Sequence, residues 1–397
     1  MEFRCLNDYS ATTAQMQTTV DPYPASVVSL APTGQGEIER IRYVIQRLSG
    51  WTQWYAHTEA NATFARGNIF GLTLSNNASD ATNDIDIATG QATSSAGTQV
   101  MTVATAFTKQ LDAVWAVGTN AGGLDTGTIA NATYHVHAIR RSDTGVVDAV
   151  FSRNPGRAAT ITMTIAAPGV VTWTDHGLGA GSSVVFTTGA LPTGITSGTR
   201  YYVIATGLTT SAFQVSTTEG GSAVTTTGSQ SGVHTGTANP VLPTSYDAFR
   251  RLGSIVRTGG AIRAFVQDGD VFMWTATGIL DVNTTNPGTS AVTVTLSVPI
   301  GIQVRALMHA GLFDTGTLDI SLLLSDLALT DVAPVSRTAT QGQVMTRPIA
   351  SGNQSGGALF IRTNTAAQIR YRSELSGAGT IVTLAIVGWA DRRGQDN

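Results

Sequence analysis

From about residue 60 onward the chain alternates apolar and polar residues with a period of two, and this constrains its fold more than any other feature. FGLTLS (70–75), TQVMTVATAF (98–107), LDAVWAVG (111–118) and TYHVHAIRR (133–141) send successive side chains to opposite faces, as a strand on a sheet requires. NNASDATND, TNAGGLDTGT and RSDTG separate them with the Asn, Asp and Gly that tight turns favour. Later, Val298, Ile300, Ile302 and Val304 alternate, as do Ile369 and Tyr371 against Arg370 and Arg372. IVTLAIVGW (381–389) is apolar on both faces and reads as a central, buried strand. No repeat of roughly 20–50 residues is visible, which argues against solenoids and propellers. The fold class is therefore mainly β: several β-sandwich-like domains with one short N-terminal helix.

At 397 residues there is room for two or three domains, and shifts in composition place their boundaries. Between residues 158 and 240 the only charges are Asp175, Arg200 and Glu219, and short strands such as SSVVFTTG and TRYYVIAT lie between Gly/Thr turns. The flanks, VVDAVFSRN and YDAFRRLGSIVRTGGAIRAFVQDGDVFMW, carry ordinary charge and stronger alternation. The expected organisation is a discontinuous β-domain (61–157 and 241–280), a small β-domain (158–240) inserted in one of its loops, and a C-terminal β-sandwich domain (281–397). Residues 1–35 read as an extended docking arm, and 36–60 as a short helix plus aromatic segment.

That helix, within GEIERIRYVIQRLSGWTQWY (36–55), is unlike the rest of the chain. Ile38, Ile41, Val44, Ile45 and Leu48 fill one stripe, with charges opposite. Ile and Leu at successive a and d positions favour three strands over two, so Ile38, Ile41, Ile45, Leu48, Trp51 and Trp54 are the expected interface of a homotrimer. Packing of the same helix on its own β-domain is the alternative. Cys5, the only cysteine, has no partner in its own chain. It is either a free thiol or an intersubunit disulfide.

Charged residues are 12% of the chain and its net charge is -3, with no dense basic stretch. Nucleic acid is therefore not an expected partner, because phosphate binding needs clustered cations. No apolar run is long enough to span a membrane. Basic residues are nearly all Arg, with Lys109 the only lysine, which reads as genomic base bias. LDTGT at Asp125 and FDTGT at Asp314 resemble the paired motifs of pepsin-like proteases. A third copy at Asp143 points instead to three turns, since Asp caps locally and Gly takes positive φ. His135 and His137 form an H-x-H on one strand face, two ligands per chain and six around a three-fold axis, or else an ordinary strand. Asp84 and Asp86 lack the remaining ligands of a calcium loop. Trp51, Trp54 and Tyr55 can stack on a sugar or pack at an interface. No catalytic motif emerges, so no enzyme activity and no cofactor are expected.

GEIERIRYVIQRLSGWTQWY resembles the segment preceding the fibre body in tailed-phage fibre and tail-appendage proteins. Residues 111–152, resumed by LPTSYDAFRRLGSIVRTGGAIRAFVQDGDVFMW (242–274), are similar to a β-domain recurrent in such proteins. TDHGLGAGSSVVFTTGALPTGITSGTRYYVIATGLTTSAFQVST (174–217) resembles a small β-module inserted in phage structural proteins, and GWADRRG (388–394) resembles fibre C-termini. The resemblance implies a non-enzymatic virion component, a tail or collar fibre docked by its N-terminus to other virion proteins, with host-surface glycan as an outer contact. Two rivals are a receptor-binding protein that degrades glycan and a sheath or decoration protein coating the neck or tail.

The soluble protein or its particle-bound ring is expected at trimer mass. Ile41→Asp and Ile45→Asp should each abolish assembly, because three charges would meet in an apolar seam. Native mass measurement checks both, and assembly surviving both changes would place the helix inside its own subunit.

Overall fold

The fold, taken from a computed structural model, is described for residues 67–316, 319–335, 343–347 and 353–395. Cys5, Ile38, Ile41, Ile45, Leu48, Trp51 and Trp54 lie outside the described residues, as do the arm and the helical segment. Of the described residues, 67–95 and 100–395 form one compact unit and 96–99 fall outside it. This unit is all-β: 28 strands and no helix among the described residues.

The largest sheet has eight strands, in spatial order Ala261–Ile262, Ala248–Thr258, Thr133–Arg140, Val147–Ser152, Ala121–Leu124, Phe107–Val114, Asp84–Ile87 and Leu74–Asn76. In a six-stranded sheet Ile381–Ala390 pairs with Arg305–Asp314 along one edge, and with Val271–Trp274 and Ile279–Thr285 along the other. A four-stranded sheet is built on Gln368–Ser373 and Ile320–Ser325, and a three-stranded one joins Ile69–Gly71, Gly90–Thr93 and Val100–Val103. One apolar cluster draws on all four, with Met101, Val136, Leu252, Phe272, Leu324, Ile369 and Trp389 among its members. Phe272 stacks on Trp389 at 5.0 Å between ring centroids, and Trp274 tilts against the same indole at 4.6 Å. Packing thus continues across residue 280, where composition drew a boundary.

The alternation in Gln368–Ser373 is realised directly: Ile369, Tyr371 and Ser373 are buried and their neighbours are half-exposed. Ile381–Ala390 corrects its expectation in part. It is central, but only Val382, Leu384, Ile386, Gly388 and Trp389 are buried, while Ile381, Thr383, Ala385 and Val387 stay half-exposed on the outer face. Apolarity on both faces marked a central position, not a covered one.

A seven-stranded sheet lies wholly within residues 157–238 and has its own core around Trp173, Phe186, Tyr201 and Phe213. Its first and last strands, Arg157–Met163 and His234–Ala238, are antiparallel partners with Arg157 opposite Ala238. Entry and exit therefore lie side by side. The Asn154 amide fastens them, donating to Asn239 O (2.7 Å) and Ser183 Oγ (2.8 Å). Deleting 159–239 and bridging the ends should leave a folded body, checked by a single cooperative melt at unchanged oligomeric mass.

Two neighbours in the eight-stranded sheet, Phe107–Val114 and Ala121–Leu124, run parallel although only residues 115–120 connect them. Parallel pairs ordinarily need a crossover of about a dozen residues or more. Here Lys109, fully buried, reaches into the loop and donates to Ala116 O (2.6 Å) and Gly118 O (3.3 Å). Asp148 sits 3.3 Å from the ammonium and accepts from Gly118 N (3.0 Å). Burial pushes Lys109 below the usual lysine range, with Asp148 acting against that shift. Lys109→Met should cost about 3–5 kcal/mol by stranding Asp148 without a counter-charge. Adding Asp148→Asn should recover part of the loss, as measured by denaturant unfolding.

Candidate functional site

Sequence separation hides a cleft assembled from distant segments of the chain. A cleft of about 380 Å³ opens where residues 155–175 of the small sheet's entry face the end of Ile381–Ala390 and the turn at 301–303. Arg157, Asp175, Arg251, Gln303, Thr365 and Asp391 line it.

Its floor is a buried ion pair. Arg251 donates from Nη1 and Nη2 to the two Asp391 oxygens at 2.6 and 2.7 Å, with the residues 5% and 1% exposed. Asp391 Oδ1 also accepts from Arg393 N at 2.8 Å. Arg393 then spreads its guanidinium over Leu252 O, Gly71 O and Leu72 O, all within 2.9 Å. Arg250, wholly buried, donates to Arg393 O and Gly67 O, and its Nη1 has no partner. Burial, with Arg251 and Arg393 alongside, pushes Arg250 down to about 10. Adjacent residues of a strand point to opposite faces, so Arg250 and Arg251 are both buried only because both faces are covered.

One wall is Arg157. Its Nη1 donates to Asp175 O (2.8 Å) and His176 O (3.2 Å), and the guanidinium lies 5.9 Å from the Trp173 ring. Burial lowers its pKa, with the Asp175 charge opposing. Thr365 Oγ1 donates to Asp175 O across the cleft at 3.0 Å. Behind these groups the backbones come very close: a Cβ on Gly177 would lie 2.7 Å from Gly301 Cα, and both glycines hold positive φ.

His135 and His137 lie on one face of Thr133–Arg140, with ring centroids 6.4 Å apart, but in the chain interior at 1% and 0% exposure. His137 Nε2 donates to Asn154 O (3.0 Å), and His135 Nδ1 lies 2.9 Å from Ser254 Oγ. Arg251 donates to that same oxygen at 3.2 Å. Ligands around a three-fold axis need a surface, so the axial metal site is not supported by this placement. Among the described residues no group of three or more His, Cys, Asp or Glu is placed to hold a metal ion.

The three Asp-Thr-Gly copies occupy three separate turns. Asp125 accepts from Val241 N (2.9 Å) where the chain returns from the small sheet, and burial pushes its carboxyl up to about 6. Asp314 accepts from Thr380 Oγ1 (2.7 Å), and Asp143 pairs with Arg141 (2.6 Å). Glu219 bridges the small sheet to the body through Arg153 at 2.6 Å.

Pattern reading missed Arg157, Asp175, Arg251, Gln303 and Asp391 as a group, because they come from distant segments. One signal was available: two adjacent arginines inside the otherwise apolar strand AFRRLGSIV. No protein-family model and no curated protein matches the chain.

Burial holds both histidines neutral, with His137 pushed down to about 3 and His135 well below the ordinary range. The unfolded chain takes up protons near pH 6.5 and the folded one does not, so this stability is present above pH 6.5 and is lost as pH falls. Each histidine should contribute a slope of about 1.4 kcal/mol per pH unit in that window. The melting temperature should fall steadily below pH 6.5, and His137→Gln should flatten the fall.

Proposed function

We propose that the chain is a non-enzymatic structural component of a tailed-phage virion, a tail or collar fibre-type appendage docked through its N-terminal segment. The observation that carries this reading is the small seven-stranded sheet hung from one loop of a larger β-body, with its two ends side by side. That arrangement matches the pattern of the resembling segments, a fibre β-domain interrupted by a shuffled β-module. Such a design lets a rigid body carry an exchangeable outer part, because a module with its own core and adjacent ends leaves the host sheet's pairing intact. Host-surface contact through the outer parts and trimerisation through residues 36–60 belong to the same proposal.

The test is to raise antibodies against the purified chain and label purified particles for electron microscopy, together with a reconstruction of neck and tail. Label on a projecting appendage supports the proposal. A continuous coat around the neck or tail would favour a sheath or decoration protein instead, and particles that exclude the label would overturn the virion assignment. Release of oligosaccharide from host surface polymer by the purified protein would replace the non-enzymatic part.

A further inference from the structure

We propose that the cleft between Arg157 and Asp391 binds a hydroxylated monocarboxylate, of the kind presented by a uronic acid residue. Arg157 supplies the recognition edge. Its Nη1 is spent on two backbone carbonyls and its face on Trp173, while Nε and Nη2 donate to no protein atom among the described residues. The Nε–Nη2 edge is one of the two edges of a guanidinium that can fork a carboxylate with two parallel hydrogen bonds. The two carbonyls fix the orientation of that fork, so little side-chain freedom is lost on binding.

The remaining groups define the rest of the ligand. The Asp175 carboxylate and the Gln303 amide line the same cleft, and neither makes a hydrogen bond to another side chain or backbone group of the described residues. A carboxylate accepts from hydroxyls, and an amide both donates and accepts. Asp391 is saturated by Arg251 and Arg393 and is unavailable. Two carboxylates in the lining disfavour a dianion such as phosphate. An ammonium is disfavoured in turn because the lining carries three guanidiniums, Arg157, Arg251 and Arg392, against the two carboxylates Asp175 and Asp391, a surplus of one positive charge. A single negative charge with hydroxyls satisfies both constraints. A volume of about 380 Å³ sits at the small end of ligand sites, which run from about 300 to 1,000 Å³.

The inference gives a ligand class to the outer contact of the virion reading, yet it stands on the cleft alone. Its failure leaves the particle-labelling result untouched, and the converse also holds. The experiment uses the full chain, titrated with sodium glucuronate and followed by ligand-observed NMR and calorimetry. Glucose, inorganic phosphate and glycine serve as parallel probes. Saturable glucuronate binding with a dissociation constant of about millimolar is expected. Glucose should bind at least about tenfold more weakly, because it lacks the charged fork partner. Arg157→Lys keeps the charge but removes the fork, and should weaken glucuronate about tenfold while leaving the melting temperature near that of the parent chain. Should Arg157→Lys prove unstable, Gln303→Ala, whose side chain makes no hydrogen bond among the described residues, should still weaken binding measurably. No saturable binding of glucuronate, glucose binding as well as glucuronate, tighter binding of phosphate or glycine, or full affinity in both variants would each overturn the assignment.

Discussion

The pair between Arg251 and Asp391 joins parts of the chain that pattern alone keeps apart. Arg251 belongs to the eight-stranded sheet, and Asp391 directly follows the central strand of the six-stranded one. Taking both charges out of water is costly, and the attraction compensates only when the geometry is good and the remaining lone pairs are used. Both conditions hold: the contact is bidentate, and Arg393 N takes up Asp391 Oδ1 as well. The following turn carries Arg393 over carbonyls of Leu252, Gly71 and Leu72, which ties the three-stranded sheet to the same point. Hydrophobic burial supplies the driving force for this body, but it is non-directional. The ionic knot fixes how the sheets meet.

The same knot reaches the small sheet. Ser254 shares Arg251 with His135, and the His135 ring lies against Gly301, where a Cβ would come within 2.7 Å of Nε2. Gly301 in turn touches Gly177 of the small sheet. A seam this tight transmits the position of one part to the other, because packed backbone has little compliance. The cleft is the gap left where this seam ends.

Fold class was legible because strands write a period of two into the sequence wherever one face is buried. Gln368–Ser373 shows this plainly, with buried and half-exposed residues in strict turn. Thr133–Arg140 is less legible: all eight of its residues are buried, so the polar pair His135 and His137 looks like a surface feature yet is interior. The parallel pair around Lys109 could not be foreseen, since its loop is too short by the usual rule and depends on one side chain filling it. The candidate cleft was invisible for a different reason. Arg157 and Asp391 are distant in sequence, and only the sheet pairing brings them to one wall and floor. The helical stripe at 38–48 and Cys5 lie outside the described residues.

Arginine usage itself gains a physical account from this placement. A bias in base composition can raise arginine over lysine everywhere, but it does not choose positions. Where the sheets meet, carbonyls in loops, turns and at the bulge near Leu252 lack ladder partners and must find donors. A guanidinium offers five donors in a fixed plane, so one side chain can serve carbonyls from several strands at once. Arg393 serves three, Arg250 two and Arg157 two. Lys109 serves two carbonyls as well, but both belong to its own short loop. Cations therefore collect at the junctions because the junctions are rich in unpaired carbonyls, and the positive cleft follows from how this all-β body is assembled.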